Sequence, residues 1–285
     1  MCPAIVRPPG GGRRTGTDTR MRIVLEPHSV HAWYQTTEGV GLRKLEASSA
    51  VLSADECLRR DRLLMPDDRR DFVMAHSLVR RALSCYADPK PRDWKFRQLP
   101  GGKPFVEGAA LSLSLSHARG IVACAVASRP SIGIDVERIG RAVDVRGLVA
   151  AYFHPTEVDM LDRVGADADA RFIDLWTLKE AFLKASGIGL MHSLRTASFA
   201  FEADETIVFR RQSDADAGSW RFALLAPTPE TRMSIAVEAA PAQQISVVVH
   251  HWGQSGTTPV PSIARIAATR HTAIHGLSSG SRVTP

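Results

Sequence analysis

The sequence predicts an α+β fold in which both halves of the chain combine helices with short antiparallel strands. Two segments carry apolar residues at helical spacing, one between residues 72 and 83 and one over 169–186. Segments of strand character, with alternating or continuous apolar residues, include 121–127, 131–138 and 245–250. Both halves therefore offer helices and strands that could pack into small antiparallel sheets.

Composition and pattern divide the chain into four regions. A flexible tail is predicted for residues 1–20 and a disordered tail for 254–285, because both are rich in Gly, Pro, Ser and Thr. Between them we expect an N-terminal subdomain over 21–130 and a C-terminal subdomain over 131–253. No internal repeat is visible residue by residue.

The distribution of charge argues against a nucleic-acid-binding protein. The formal net charge is +6. Residues 1–20 hold four Arg and one Asp, and residues 254–285 hold three Arg and no acid, so each segment contributes +3. The body over 21–253 is therefore formally neutral, and no folded basic face is required.

Apolar runs and cysteines predict a reduced, cytoplasmic protein without a membrane span. No apolar run approaches the roughly 20 residues that cross a bilayer. Cys2, Cys57, Cys85 and Cys124 are scattered and form no CxxC pair. We therefore expect neither disulfides nor a zinc site.

The stretch SIGIDVERIG, residues 131–140, places two carboxylates on one face of a strand. Ile132, Ile134 and Val136 alternate with Gly133, Asp135 and Glu137. Like charges at positions i and i+2 repel each other, so this arrangement needs either a cation or open water.

A third acid and two lysines lie in the helix predicted over 169–186. Glu180 and Lys184 are one turn apart, and this spacing alone is typical of a surface ion pair. The chain contains thirty Arg but only six Lys, and Lys103, Lys179 and Lys184 are three of the six. A compact ammonium that contacts phosphate is one physical reason to keep lysine at such positions.

Two further segments have both a structural and a functional interpretation. Ser116 and His117 lie beside a turn between two strand-like segments, where a histidine is more often a surface or capping residue. Glu157 in FHPTE follows Pro155 at a predicted helix start, where an acid is favoured by the helix dipole.

Together these segments resemble the Sfp-type 4′-phosphopantetheinyl transferases. Five motifs of that family occur in the same order and spacing: GKP, an (N/S)xSH turn, (I/V)G(I/V)D(I/V)E, FxxxE and WxxKExxxK. They correspond here to GKPFVEG, LSLSHARG, IGIDVE, FHPTE and LWTLKEAFLKASGIGL. The resemblance covers residues 50–200 and implies two similar subdomains in a pseudo-twofold arrangement, each a small antiparallel sheet packed with helices.

The resemblance also implies a magnesium site. Asp135, Glu137 and Glu180 match the family's metal ligands, and oxygen ligands together with substrate phosphates suit Mg²⁺. The positive charge of such an ion would offset the repulsion between the two strand carboxylates.

The remaining motif residues match positions with roles in substrate binding and catalysis. Lys184 matches a lysine that contacts the phosphates, and Lys179 would orient Glu180 or touch phosphate. Glu157 matches an acid proposed to accept the serine proton. Residues matching the nucleotide-binding positions are Lys103, Ser116 and His117. An arginine among Arg59, Arg60 and Arg62 could meet the 3′-phosphate, and the sequence does not select one.

The resemblance therefore implies an enzyme that moves the phosphopantetheine arm of coenzyme A onto a serine of an apo acyl or peptidyl carrier protein. The other product would be adenosine 3′,5′-bisphosphate. An alternative is a protein of the same fold that binds coenzyme A or a carrier without turnover. We expect no nucleic-acid or membrane partner, and a monomer.

Overall fold

Two β-sheets that share one apolar core organise this chain. A computed structural model describes residues 22–98, 102–128, 131–140, 144–187, 194–211, 219–253 and 264–275. It confirms the α+β class. The tail predicted over 1–20 lies outside the described residues.

The helices predicted between 72 and 83 and over 169–186 are present, and so are the strands predicted over 121–127, 131–138 and 245–250. The helices are α1 (Leu42–Ser49), α2 (Ala54–Arg62), α3 (Pro66–Leu83), α4 (Val145–Tyr152), α5 (Pro155–Val164) and α6 (Ala168–Ser186). The strands are β1 (Ser29–Thr36), β2 (Phe96–Gln98), β3 (Pro104–Val106), β4 (Ser112–Ala118), β5 (Ile121–Ala127), β6 (Ile132–Arg138), β7 (Ala197–Phe201), β8 (Ile207–Arg211), β9 (Trp220–Ala226), β10 (Thr231–Glu238), β11 (Ile245–His251), β12 (Ala264–Ala268) and β13 (Thr272–His275).

The first sheet has the strand order β13-β11-β1-β5-β4. Within it, β11 pairs in parallel with both β1 and β13, and the other pairs are antiparallel. The second sheet has the order β12-β9-β10-β6 and is antiparallel throughout. Because β6 is an edge strand, the residues that it carries lie at the border of the second sheet.

The main core lies between the two sheets. Ile132, Ile134 and Val136 of β6 pack there with apolar residues of β1, β5, β10 and β11. The outer face of the first sheet is covered by α3 and that of the second sheet by α6. Each sheet thus packs against one long helix, whereas the pseudo-twofold relation between two subdomains stays a prediction.

The disorder predicted for 254–285 is wrong over 264–275. There β12 pairs with β9 and β13 pairs with β11, and both Ala267 and Ala268 are buried. The apolar residues of these strands are mostly alanines, which give a weak alternation signal. The predicted boundary between residues 130 and 131 also does not separate the sheets, since β11 pairs with β1.

Gly133 allows β6 to lie directly against α6. A Cβ atom at this position would stand 2.0 Å from the carbonyl oxygen of Ala181 and 2.6 Å from the amide nitrogen of Ala185. No larger residue fits without moving the strand and the helix apart, because both contacts are with backbone atoms. Glycine therefore sets the separation between the strand that carries Asp135 and the helix that carries Glu180.

Within the part of the chain that the structure describes, no helix is both long and apolar enough to cross a membrane.

Candidate active site

The predicted site residues meet where β6, α6 and the end of β4 come together. On β6, the face that contains Gly133 packs against α6, and Asp135 and Glu137 follow on the same face. Glu180 and Lys184 are one turn apart on α6. Ser116 and His117 lie near the C-terminal end of β4, which packs beside β6. Three separate segments thus supply one group of polar side chains.

Asp135 is the most enclosed of these side chains, with 4% of its surface exposed. Its Oδ1 atom accepts from Lys184 Nζ at 2.6 Å and from Ser116 Oγ at 2.7 Å. Lys184 Nζ also lies 3.0 Å from Ser116 Oγ, which closes a triangle of polar contacts. The second oxygen, Oδ2, is buried and has no hydrogen-bond partner among the described residues.

A cavity of about 490 Å³ opens at this group. Its polar lining comes from Ser116, His117, Asp135, Glu137, Glu180 and Lys184. Its apolar wall consists of Leu115, Leu148, Tyr152 and Trp176. The structure thus brings six of the predicted site residues to one cavity.

A second cavity of about 440 Å³ adjoins the first, since Leu115, Glu180 and Lys184 line both. Lys103 lines this second cavity, and its ammonium group donates to the carbonyl oxygens of Ile132 at 3.1 Å and Ala185 at 2.9 Å. Burial lowers the pKa of Lys103, and the charge of Glu238 partly offsets this effect. Lys103 therefore links the turn before β3 to both β6 and α6, while contact with nucleotide stays a prediction.

The donor chemistry of the first cavity fits a hard divalent cation. Carboxylate oxygens are the ligands that Mg²⁺ prefers, and the Oδ2 atom of Asp135 is a buried acceptor without a donor. However, no group of three His, Cys, Asp or Glu side chains among the described residues is arranged to hold one ion. Lys184 occupies Oδ1 of Asp135, and joint ligation by three acids stays a prediction.

The burial of Glu157 and Lys179 does not support a proton-accepting role for Glu157 or a phosphate contact for Lys179. Both side chains are 0% exposed and form an ion pair with 2.8 Å between Lys179 Nζ and Glu157 Oε2. Neither residue lines the two cavities. Burial lowers the pKa of Lys179, and the neighbouring Glu157 opposes that shift. A carboxylate enclosed in this way cannot accept a proton from a carrier serine, and the lysine cannot touch phosphate in this arrangement.

His117 lies at the side of the first cavity nearest to α3. Partial desolvation lowers the pKa of its imidazole, the charge of Asp71 raises it, and the charge of Lys184 lowers it. Asp71 itself is buried and accepts from the backbone amide of Gly120 at 3.0 Å. This contact ties α3 to the turn that follows His117.

Part of this chain is similar to known proteins. Residues 131–239 match the model of the 4′-phosphopantetheinyl transferase superfamily. The 4′-phosphopantetheinyl transferase HetI of Nostoc sp. is 34% identical over 153 residues, which is 52% of this chain and 64% of that protein. Over residues 131–239 the chain is therefore similar to the 4′-phosphopantetheinyl transferase superfamily.

Two further relatives of this superfamily match longer parts of the chain. The 4′-phosphopantetheinyl transferase Sfp of Bacillus subtilis is 28% identical over 56% of this chain and 70% of its own length. A phosphopantetheinyl transferase of Thraustochytrium sp. is 27% identical over 74% of this chain and 80% of its own length. The chain spans less than two thirds of the length of the Nostoc relative.

The crystal structure of the holo-[acyl-carrier-protein] synthase (AcpS) of Thermotoga maritima is 23% identical and matches 38% of this chain and 62% of its own chain. The TM-score is 0.31.

The superfamily motifs pointed to the acids, lysines, serine and histidine, but not to the apolar wall. Leu148 and Tyr152 of α4 reach the cavity from a segment that carries no motif. The only available signal was their four-residue spacing, which places both on one face of a helix. The burial of Glu157 and Lys179 was also missed, because a motif match does not reveal whether a side chain is buried.

Proposed function

We propose that this chain is a magnesium-dependent 4′-phosphopantetheinyl transferase. It would transfer the phosphopantetheine moiety of coenzyme A to a serine of an apo acyl or peptidyl carrier protein and release adenosine 3′,5′-bisphosphate. The observation that carries the proposal is the environment of Asp135. One of its buried oxygens is paired with Lys184, and the other lacks a donor beside a cavity that Glu137 and Glu180 also line.

Asp135, Glu137 and Glu180 are the residues that would hold Mg²⁺, which supplies neutralisation of the charge that develops on the phosphate oxygens. Lys184 adds a positive charge at the border of both cavities. From there its ammonium group stabilises phosphate oxygens as the phosphoanhydride breaks.

In the reaction, the serine oxygen of the carrier forms a bond to the phosphorus that bears the pantetheine arm. The bond from this phosphorus to the bridging oxygen breaks, and the bisphosphate leaves with that oxygen. The serine proton passes to water or to a group that faces the cavity. Glu157 is buried and does not line the cavity, which argues against it as that group.

The two cavities suit a substrate with two distinct ends. The first is rich in charged side chains, and the second includes Pro104, Leu113 and Leu183 in its lining. A molecule that crosses from one to the other passes Glu180 and Lys184, which line both. This arrangement supports coenzyme A as the substrate, with its diphosphate near the border. The proposal retains the expected cytoplasmic location.

The test is transfer measured on the carrier. The full chain is incubated with coenzyme A, Mg²⁺ and apo carriers of the fatty-acid, polyketide and non-ribosomal peptide types, and each intact carrier is weighed by mass spectrometry. We expect a gain of one phosphopantetheine that EDTA abolishes. Asp135→Asn should abolish the gain, whereas Asp204→Asn, which changes an exposed carboxylate in the β7–β8 turn, should preserve it.

Coenzyme A binding without a mass gain on any carrier would overturn the proposal. That outcome would favour the alternative, a protein of this fold that binds coenzyme A or a carrier without turnover. A mass gain that persists in EDTA would overturn the magnesium dependence alone.

A further inference from the structure

We propose that Glu157 and Lys179 form a positioning pair that fixes α6 and thereby sets where Glu180 and Lys184 lie in the cavity. This inference rests on the proposed function, because it assigns the pair a task in the same site. It replaces a direct catalytic task for Glu157 and a phosphate contact for Lys179.

The carboxylate of Glu157 is occupied on both oxygens. Oε2 accepts from the backbone amide of His154 at 2.8 Å and from Lys179 Nζ at 2.8 Å. Oε1 accepts from the backbone amide of Phe199 at 2.9 Å. One side chain therefore joins the start of α5, the strand β7 and the helix α6.

The ammonium group of Lys179 likewise has a hydrogen-bond acceptor for each of its protons. Besides Glu157, it donates to the carbonyl oxygen of Leu194 at 2.9 Å and to that of Ala197 at 2.6 Å. An ammonium group has three protons, and these three acceptors use all of them. The phenyl ring of Phe153 lies 5.4 Å from the same nitrogen.

These contacts hold α6 next to the two residues that it contributes to the cavity, Glu180 and Lys184. Lys179 immediately precedes Glu180 and is five residues before Lys184, so its anchorage limits rotation and sliding of the turns that carry both residues. On β6, Gly133 brings the strand into backbone contact with the same helix at Ala181 and Ala185. α6 is thus held from two sides, by the glycine contact and by the buried pair.

A buried ion pair is a costly way to fill space, and apolar residues of the same volume often stabilise a fold as well or better. In some proteins a buried polar or ionic group fixes the register of one helix against its neighbours. Because Lys179 is next to Glu180, a fixed register of α6 would also fix the positions of Glu180 and Lys184, which would contact metal and phosphate.

The experiment compares Glu157→Gln, Lys179→Met and the double variant Glu157→Gln/Lys179→Met. The first readout is the affinity for Mn²⁺ alone, measured by the electron paramagnetic resonance signal of unbound Mn²⁺ at a temperature where each variant is folded. Each single variant leaves a buried charge without its partner. We expect both to weaken Mn²⁺ binding by tenfold or more, and kcat for carrier modification to fall with it.

The double variant leaves no unpaired charge, and its side chains keep similar lengths. We expect its Mn²⁺ affinity and kcat to lie closer to wild type than those of either single variant, which is a non-additive result. A residue that took the serine proton could not be rescued by removal of a neighbouring lysine. A double variant that is no better than Glu157→Gln, or that does not fold, would overturn the proposal.

Glu56→Gln is the matched control for a merely structural effect. Glu56 is also a buried acid at a helix start, and it pairs with Arg80 at 2.9 Å away from α6. We expect it to lower Tm in the same way as Glu157→Gln but to leave Mn²⁺ affinity within twofold of wild type. An equal loss of Mn²⁺ affinity in both variants would show that general destabilisation is the cause and would contradict the proposal.

Coenzyme A affinity, measured by calorimetry on the same variants without metal, gives an independent readout through Lys184. If wild type binds Mn²⁺ or coenzyme A but modifies no carrier, the proposed function fails while the positioning pair is still tested. If wild type modifies carriers and the single variants retain wild-type affinity for both ligands, the positioning pair fails and the proposed function stands.

Discussion

Lys184 donates to Asp135 across 2.6 Å and so places an ammonium group against the carboxylate that the metal would use. The carboxylate is almost fully buried, whereas the lysine side chain is 30% exposed. A buried carboxylate without a cation is costly, and in this conformation lysine supplies that cation. The ammonium group of Lys184 can move away from Asp135, because the lysine side chain lines the cavity and is partly exposed. We therefore expect metal binding and the lysine contact to compete for Asp135.

Lys184→Met should strengthen Mn²⁺ binding while it reduces transfer. Removal of the competing ammonium leaves Asp135 open to the metal, and we expect about tenfold tighter binding, or about 1.4 kcal/mol. Loss of a cation at the phosphates should lower kcat by about 100-fold or more. Mn²⁺ titration and carrier mass spectrometry measure the two effects. Lys90→Met, at an exposed lysine, is the control. Weaker Mn²⁺ binding in Lys184→Met would refute the competition.

Gly133→Ala should cost both stability and activity. The new methyl group would meet backbone atoms of α6, which cannot rotate away, so the helix and β6 must separate. Overpacking of this kind costs about 1–3 kcal/mol. Separation would also move Glu180 away from Asp135, and we expect transfer to fall by at least tenfold. Urea unfolding and steady-state kinetics provide the measurements.

Gly41→Ala is the control for that substitution. Gly41 precedes α1, its φ of −69° is accessible to alanine, and nothing lies within 4 Å of the added methyl group. Its kinetics should match wild type, and its stability should fall by less than that of Gly133→Ala because alanine is only a poorer N-cap than glycine. If Gly133→Ala behaves like Gly41→Ala, the close approach of β6 and α6 is not what orders the site.

The sequence predicts features that depend on neighbouring residues better than features that depend on distant segments of the chain. Alternation in β6 correctly separated the core face of Ile134 from the polar face of Asp135, because a strand imposes that division locally. Motif matches predicted that Ser116, Lys184 and Asp135 belong to one site, and all three line the same cavity. Burial cannot be read from the local pattern, since it depends on which other segments cover a residue. Glu157 has the same sequence features whether it faces a substrate or is enclosed between α5, β7 and α6.

The C-terminal strands illustrate the same distinction. Residues 264–275 lack a strong apolar pattern, and their order comes from pairing with β9 and β11. Long-range hydrogen bonds of this kind leave no mark on local composition, so a Gly- and Ser-rich context led to a prediction of disorder.

Truncation after Gly253 should therefore destabilise the protein. It removes β12 and β13 and exposes the edges of β9 and β11, which are then open to association with other chains. We expect Tm to fall by roughly 5 °C or more and aggregates to appear in size-exclusion chromatography. Truncation after His275, which keeps both strands, is the control and should resemble the full chain. Equal Tm values for the two truncations would mean that β12 and β13 do not stabilise the fold.

His31 should make stability depend on pH in the weakly acidic range. Its ring is buried in β1, with Nδ1 lying 2.9 Å from the hydroxyl of Tyr86 and 3.2 Å from Nε2 of His250. Burial, with a smaller contribution from His250, lowers the pKa of His31 from 6.5 to about 4. The unfolded chain therefore binds a proton between pH 6.5 and 4 that the folded protein excludes.

The sign follows from that difference. The contribution of His31 is fully present above pH 6.5 and is lost as the pH falls toward 4, at a total cost of about 3 kcal/mol. In His31→Gln, which cannot titrate, the free energy of unfolding should fall less steeply over this interval, whatever its value at pH 7. Urea unfolding at half-unit pH steps measures both slopes. Parallel curves for wild type and His31→Gln would show that the buried imidazole accepts a proton without opposing the fold.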